Sequence, residues 1–194
     1  MNNVSFVKSI IPTDKYQEIE SRGDRFLVHF SPSEVDGCIE CVECSVPVEG
    51  FDSKEARAMY ELWVSKQKEK DLFWAKSKKL EEINEYDKSA EVNTFFLNEQ
   101  PRWLEYEERS KIYDGNERLR SEGRVNTTLW IGTERFDSTI EAAQKLISQL
   151  EVYAKDCFNV TATHKRTVSA LTSIDAIQSY DYKTGYPEML HLTL

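Results

Sequence analysis

Three cysteines recur at every third position, Cys38-x-x-Cys41-x-x-Cys44. Closely spaced thiolates are the ligands of zinc and iron–sulfur sites, so this is the first motif to weigh for chemistry. The spacing is wrong for the local structure. Ile39 to Val46 alternates as a strand, and on an extended chain Cys38 and Cys44 face one way while Cys41 faces the other. The three cannot converge, and the fourth cysteine, Cys157, lies far along on a helical pattern. Small buried hydrophobes describe them better. Cys157 falls on the apolar seam of its helix, whereas a nucleophilic thiol needs a polar, electropositive and accessible place. His29, His164 and His191 fall in a strand, a helix seam and a terminal strand, with no two at ligand spacing. Glu81-Glu82 and Glu107-Glu108 are adjacent pairs, which diverge on a helix and cannot share a substrate proton. There is no glycine-rich phosphate loop, and Asn159-Val160-Thr161 matches a glycosylation triplet only by chance, since it falls on a helical pattern in a chain read as lacking a secretion signal. The expectation is a chain that is not an enzyme, with no catalytic residue, no cofactor-binding residue, no metal ligand and no cofactor.

Bulk composition narrows the partners. The 194 residues are 40% hydrophobic and 30% charged, which is a globular balance with enough chain to bury a core. The net charge of -9 opposes the release of counterions from phosphate on which nucleic-acid binding depends, so no nucleic acid is expected. No stretch approaches the roughly 18 apolar residues of a membrane helix, so no membrane is expected either. The first residues lack the basic head and apolar run of a signal peptide, and four cysteines make no disulfide framework. Synthesis in the cytoplasm is the expectation. Nine tyrosines and four tryptophans suffice for a core plus an interface patch, where aromatic anchors dominate binding energy.

The elements that would position these residues fall into three stretches, giving an α+β fold. Residues 1–50 read as a β-rich antiparallel meander: Phe26-Leu27-Val28-His29-Phe30 is a buried strand, and Val42, Cys44 and Val46 oppose Glu43 and Ser45 on the next. Ser31-Pro32-Ser33 and Asp36-Gly37 read as turns between them. Residues 51–88 read as a long bridging helix capped by Asp52 or Ser53. Met59, Leu62, Trp63, Phe73, Trp74, Leu80 and Ile83 recur at helical spacing, and Trp63 and Trp74 share a face. The middle, Ser65 to Asp71, is polar, which predicts two packed ends and a solvated centre.

Residues 89–194 read as a C-terminal domain of β-hairpins and long helices. Asn93–Leu97 with Arg102–Leu104 suggests one hairpin, with Pro101 on its edge. A helix from Glu105 to Ser121 ends before Gly123. Val125–Ile131 and Glu134–Phe136 form a second hairpin around Gly132-Thr133, so hairpin-then-helix occurs twice, as an internal repeat would produce. Ser138 and Glu141 suggest a capping box for the next helix. Its stripe runs through Ile140, Ala143, Ile147, Leu150, Ala154, Cys157, Thr161, His164, Val168 and Leu171, about 50 Å at about 1.5 Å per residue. Thr161 and His164 suit a less dry place, such as a contact between subunits. Ser173 caps a short helix to about Tyr180, and Met189, Leu190, Leu192 and Leu194 offer a final strand.

From about Lys79 onward, a further set of residues stands out. These are Leu80-Glu81-Glu82-Ile83-Asn84-Glu85-Tyr86-Asp87, Val92-Asn93-Thr94-Phe95, Trp103-Leu104 with Arg109, Asn126-Thr127-Thr128-Leu129-Trp130, Leu150-Glu151-Val152-Tyr153-Ala154, and Tyr180-Asp181-Tyr182 with Gly185-Tyr186-Pro187-Glu188. In order and spacing they resemble a domain of unknown function recurrent in tail-region structural proteins of phages and prophages of gut Bacteroidetes. That pattern has Asn-Gly in the second hairpin where this chain has Gly132-Thr133. The resemblance implies a non-enzymatic bacteriophage structural or assembly protein, in the virion, tail or tail fibre, that works by protein–protein contacts. It implies as partners other phage virion or tail proteins, and it supplies no functional residue. The heptad stripe adds the expectation of a homo-oligomer, made in the host cytoplasm during assembly and then carried in the virion. Two alternatives are a metal- or redox-linked accessory protein built on the cysteine cluster, and a phage regulatory or anti-defence protein.

Overall fold

The structure is a computed structural model and describes residues 4–194. The fold is α+β, and its contacts divide the chain inside one long helix, between Asp71 and Leu72. That point closes the run of charged residues whose side chains would cost too much to bury.

The first unit is a four-stranded antiparallel sheet with a helix on one face. Its strands are β1 (Phe6–Pro12), β2 (Ile19–Arg22), β3 (Arg25–Val35) and β4 (Cys38–Pro47), in the spatial order β1-β4-β3-β2. The order is not the plain meander expected. β1 crosses to the far side of β4 and pairs Phe6 with Cys44 through Pro12 with Cys38. Asp36 and Gly37 join β3 to β4 as a two-residue loop with both φ angles positive, 51° and 77°. That conformation matches the twist of the flanking strands and favours Asp-Gly. Ser31-Pro32-Ser33, expected as a turn, instead lies within β3 as an irregularity in the pairing with β4, with Ser31 at φ 51°. Proline lacks the ladder donor, so it is tolerated at such a bulge.

Alternation gives this sheet two buried faces. Val28, Phe30, Cys44 and Val46 lie on one, beneath the first turns of α1 (Ser53–Asp87). Asp52 caps that helix, its Oδ1 accepting the Lys54 N–H at 2.7 Å. Ala56 and Tyr60 face the sheet, with the Tyr60 ring stacked on Phe30 at 4.4 Å and the Trp63 ring 5.4 Å from Phe6. On the other face Leu27, His29, Ile39 and Cys41 are buried, with the Tyr16 ring 5.8 Å from His29. Leu62, Phe73 and Trp74 are exposed, so helical spacing alone does not decide which apolar side chains of α1 pack.

The second unit takes α1 from Leu72 onward, then α2 (Ala90–Asn93), β5 (Phe95–Leu97), β6 (Gln100–Arg102), α3 (Tyr106–Ser121), β7 (Asn126–Ile131), β8 (Glu134–Thr139), α4 (Ile140–Ala170), α5 (Ile174–Gln178) and β9 (His191–Leu192). Asn93 ends a helical turn and does not begin the hairpin. Its side-chain amide donates to the carbonyls of Asp87 and Ser89, which closes that turn. β6 is an edge strand carrying Pro101, and β9 joins β5 on its other side in parallel. The final strand is thus only two residues long, and Met189 stays outside it. β7 and β8 form a separate hairpin whose pairing runs to Asn126 opposite Thr139. This pairing holds Ser138 in the strand, so Thr139 caps α4 in its place, accepting the Ala142 N–H at 3.1 Å.

The stripe of α4 is the backbone of this unit. Ile147 and Leu150 pack with Phe95, Leu97, Leu104, Ile131 and Leu192, while Val168 packs with Ile83 and Ile177. Thr161 and His164 do not occupy a seat between subunits: both are buried against partners within the same unit.

Candidate functional site

In the second unit, a cleft of about 360 Å³ opens where α1, α2, β5, α3 and α4 meet, a size suited to a single side chain or small ligand. Asp87, the last residue of α1, stands on one wall. A carboxylate at a helix C-terminus meets the negative end of the dipole and needs compensation. The Thr161 hydroxyl supplies it, donating to Asp87 Oδ1 at 2.6 Å. That hydroxyl is also 2.8 Å from the Tyr186 phenol. Because Thr161 spends its only proton on the carboxylate, the phenol must be the donor of the second bond.

The wall from α4 is polar but inert. Tyr153 donates from its phenol to the Val92 carbonyl at 3.0 Å, and the Cys157 thiol points at the same oxygen from 4.0 Å. Burial pushes both groups up from their ordinary acidities, with the neighbouring Cys157 adding to the effect on Tyr153. Both therefore stay protonated and donate, which is the opposite of an activated nucleophile.

Arg109 lines the cleft from α3. Its Nε donates to Glu151 at 2.6 Å and its Nη1 to the Leu104 carbonyl at 2.6 Å, so the guanidinium is pinned between two elements. Two aromatic rings flank it: Tyr106, 66% exposed, and Phe158, 59% exposed. The Arg109 guanidinium lies 5.9 Å from the Tyr106 ring, and the Lys155 ammonium 5.2 Å from Phe158. The result is a rigid, half-polar cleft with aromatic lips, suited to holding a side chain.

Beside it, His164 is held by two partners. Its Nε2 is 2.9 Å from the Thr184 carbonyl, which can only accept, so this nitrogen carries a proton. In the neutral ring Nδ1 is then an acceptor, and the Tyr180 phenol donates to it at 2.8 Å. The imidazole is a cross-link between α4 and the segment after α5.

The cysteines of the first unit lie as the alternation required. Cys44 faces α1, and Cys41 is on the opposite face with Ile39. Among the described residues, no three His, Cys, Asp or Glu side chains are grouped as metal ligands. Burial raises the Cys41 and Cys44 thiols, as it does Cys157. A disulfide-exchange reagent at pH 8 should therefore label the half-exposed Cys38 quickly and the three buried thiols only on the timescale of opening. Four fast-reacting thiols in the native protein would contradict this packing.

None of the cleft residues was singled out for chemistry from sequence, apart from Cys157 as a packed thiol. Arg109 and Asp87 entered only through the resemblance. Tyr106 and Phe158 carried no signal, because each is an isolated aromatic on a polar helix face. No family model, curated protein or solved structure matches the chain.

Proposed function

We propose that the chain is a non-enzymatic structural or assembly component of a bacteriophage particle, associated with the virion or tail and acting through protein–protein contacts. The observation that carries this reading is the aromatic-lipped cleft. Tyr106 and Phe158 project from two helices whose positions are fixed by the core and by the Arg109–Glu151 pair. Exposed aromatics on rigid elements are the side chains that dominate interface energetics. The sequence resemblance to a phage tail-region domain names the class of partner, another virion or tail protein. The reactive groups nearby donate to the chain's own carbonyls, which favours holding a partner over transforming a substrate.

Mass spectrometry of purified particles from a phage encoding the chain tests the reading. The chain should co-purify with the particle at a fixed ratio to the tail proteins. A Tyr106→Ala/Phe158→Ala double variant should melt within a few degrees of the wild type, since both rings are exposed, and should be depleted from the particle. Absence of the wild-type chain from particles, or undiminished incorporation of the double variant, would overturn it.

A further inference from the structure

The sheet of the first unit has two open edges of opposite character. β2 is four residues long and carries Glu20 and Arg22, while β3 beyond it bears Ser31 at positive φ and Pro32. Short length, charge, proline and a bulge are the features that block strand addition. β1 is longer, and along its first six positions it has no proline and no bulge, with Lys8 as its one charge. Among the described residues, Phe6-Val7-Lys8-Ser9-Ile10-Ile11 pairs with β4 and its outer edge has no partner. Val7 is 56% exposed and Ile10 68% exposed. A long, largely apolar edge with a row of free backbone groups is a template for another strand.

The geometry points to a second copy of this chain as that strand, paired antiparallel through β1 about a two-fold axis at Ser9. The argument is register. An axis at Ser9 sets Val7 opposite Ile11 and Lys8 opposite Ile10 of the other copy, with Phe6 opposite Pro12. Each apolar residue of the edge then meets an apolar side chain or the aliphatic stem of lysine. The strand's one charge never faces itself, which a like-charge pair directly across the strands would penalise. Lys8 also finds a counter-charge. Ile10 is paired with Glu40 on β4, so Lys8 of one copy looks across Ile10 towards Glu40 of the other. The two backbones are two strand spacings apart, about 10 Å, a gap that these two side chains close by reaching towards each other. The chain carries a net charge of -9, so a self-contact has to be placed where acids are few, and β1 holds no acid at all.

This pairing gives the expected homo-oligomer an interface, an eight-stranded sheet continuous across two copies, and does not depend on the phage assignment. Light scattering on the full chain at tens of micromolar should return about twice the 22.6 kDa of one chain. A Val7→Lys/Ile10→Lys variant should return the single-chain mass with an unchanged far-ultraviolet spectrum. Disulfide trapping reads the register independently of that variant's folding. Because position 9 is paired with Cys41 on β4, the test uses a Cys41→Ser background: there Ser9→Cys should cross-link between chains well above the background of the remaining cysteines, and Lys8→Cys should not, because its opposite residue is Ile10. A wild-type chain of single mass, or equal cross-linking at positions 8 and 9, would overturn the inference. Particle incorporation is measured separately, so failure here leaves the proposed function standing or falling on its own test.

Discussion

Phe95→Ala should lower the stability of the second unit by about 3–5 kcal/mol, with Ile147→Ala and Leu150→Ala costing about 2–5 kcal/mol each. Phe95 is 2% exposed and is the largest of the fully buried side chains. It belongs to a core built by β5, the loop before α3, β7, α4 and β9, so five elements lose a shared contact when its ring is removed. The cavity cannot collapse easily, because Leu97 and Ile147 around it are themselves fixed by the sheet and by a 31-residue helix. That places the expected cost towards the upper end of the range. Urea titration followed by circular dichroism measures it, with Val152→Ala as the control, since Val152 is exposed on the same helix. A loss below about 1 kcal/mol for both Phe95→Ala and Ile147→Ala would mean that α4 does not pack where the stripe puts it.

The stripe itself was legible in the sequence because its period is long and its residues are strongly apolar. Eight of its ten expected positions are buried, and only Ala154 and Leu171 are less so. Turns were legible where their chemistry is restrictive, as at Asp36-Gly37 and Gly132-Thr133. The hairpin turn at Asn98-Glu99 was harder, because both residues take positive φ and glutamate is a poor predictor of that. β1 and β2 escaped notice because each mixes polar and apolar residues without clear alternation, so burial on one face cannot be inferred from either alone. The Ser138 cap failed for a different reason. Ser138 and Thr139 are both competent caps, and the choice between them is made by strand pairing to Thr127 and Asn126, which is not a local property.

The cleft was not legible for the same kind of reason. Asp87, Asn93, Arg109 and Cys157 come from four helices, and no spacing links them. What the sequence did contain was the oddity of Thr161 and His164 on an otherwise apolar seam. From sequence alone, their polarity suits a wetter position such as a contact between subunits. The structure shows the alternative that polar seam residues always have, which is a complete set of partners inside the fold. A buried hydroxyl with partners thus marks a junction between elements. It joins the end of α1 to α4 and to the segment around Tyr186.

Thr161→Val should therefore cost about 1–3 kcal/mol although it preserves shape and adds apolar surface. Thr161 is 1% exposed, so no water replaces the lost hydroxyl without opening the seam. The valine leaves Asp87 Oδ1 without its donor at the unfavourable end of α1, and it leaves the Tyr186 phenol without its acceptor. Thr161→Ser keeps the hydroxyl and should recover most of the loss, less the missing methyl group. A double-mutant cycle with Asp87→Ala separates the hydrogen bond from packing: the coupling should be about 0.5–3 kcal/mol, as for residues in direct contact. With Asp87 already removed, the valine should cost less, keeping only the loss of the acceptor for the Tyr186 phenol. Equal costs for Thr161→Val in both backgrounds would show that the hydroxyl and the carboxylate do not act as a pair. The junction between α1 and α4 would then rest on the apolar cluster around Ile83 and Val168 and on the bond from the Lys76 ammonium to the Ser169 carbonyl.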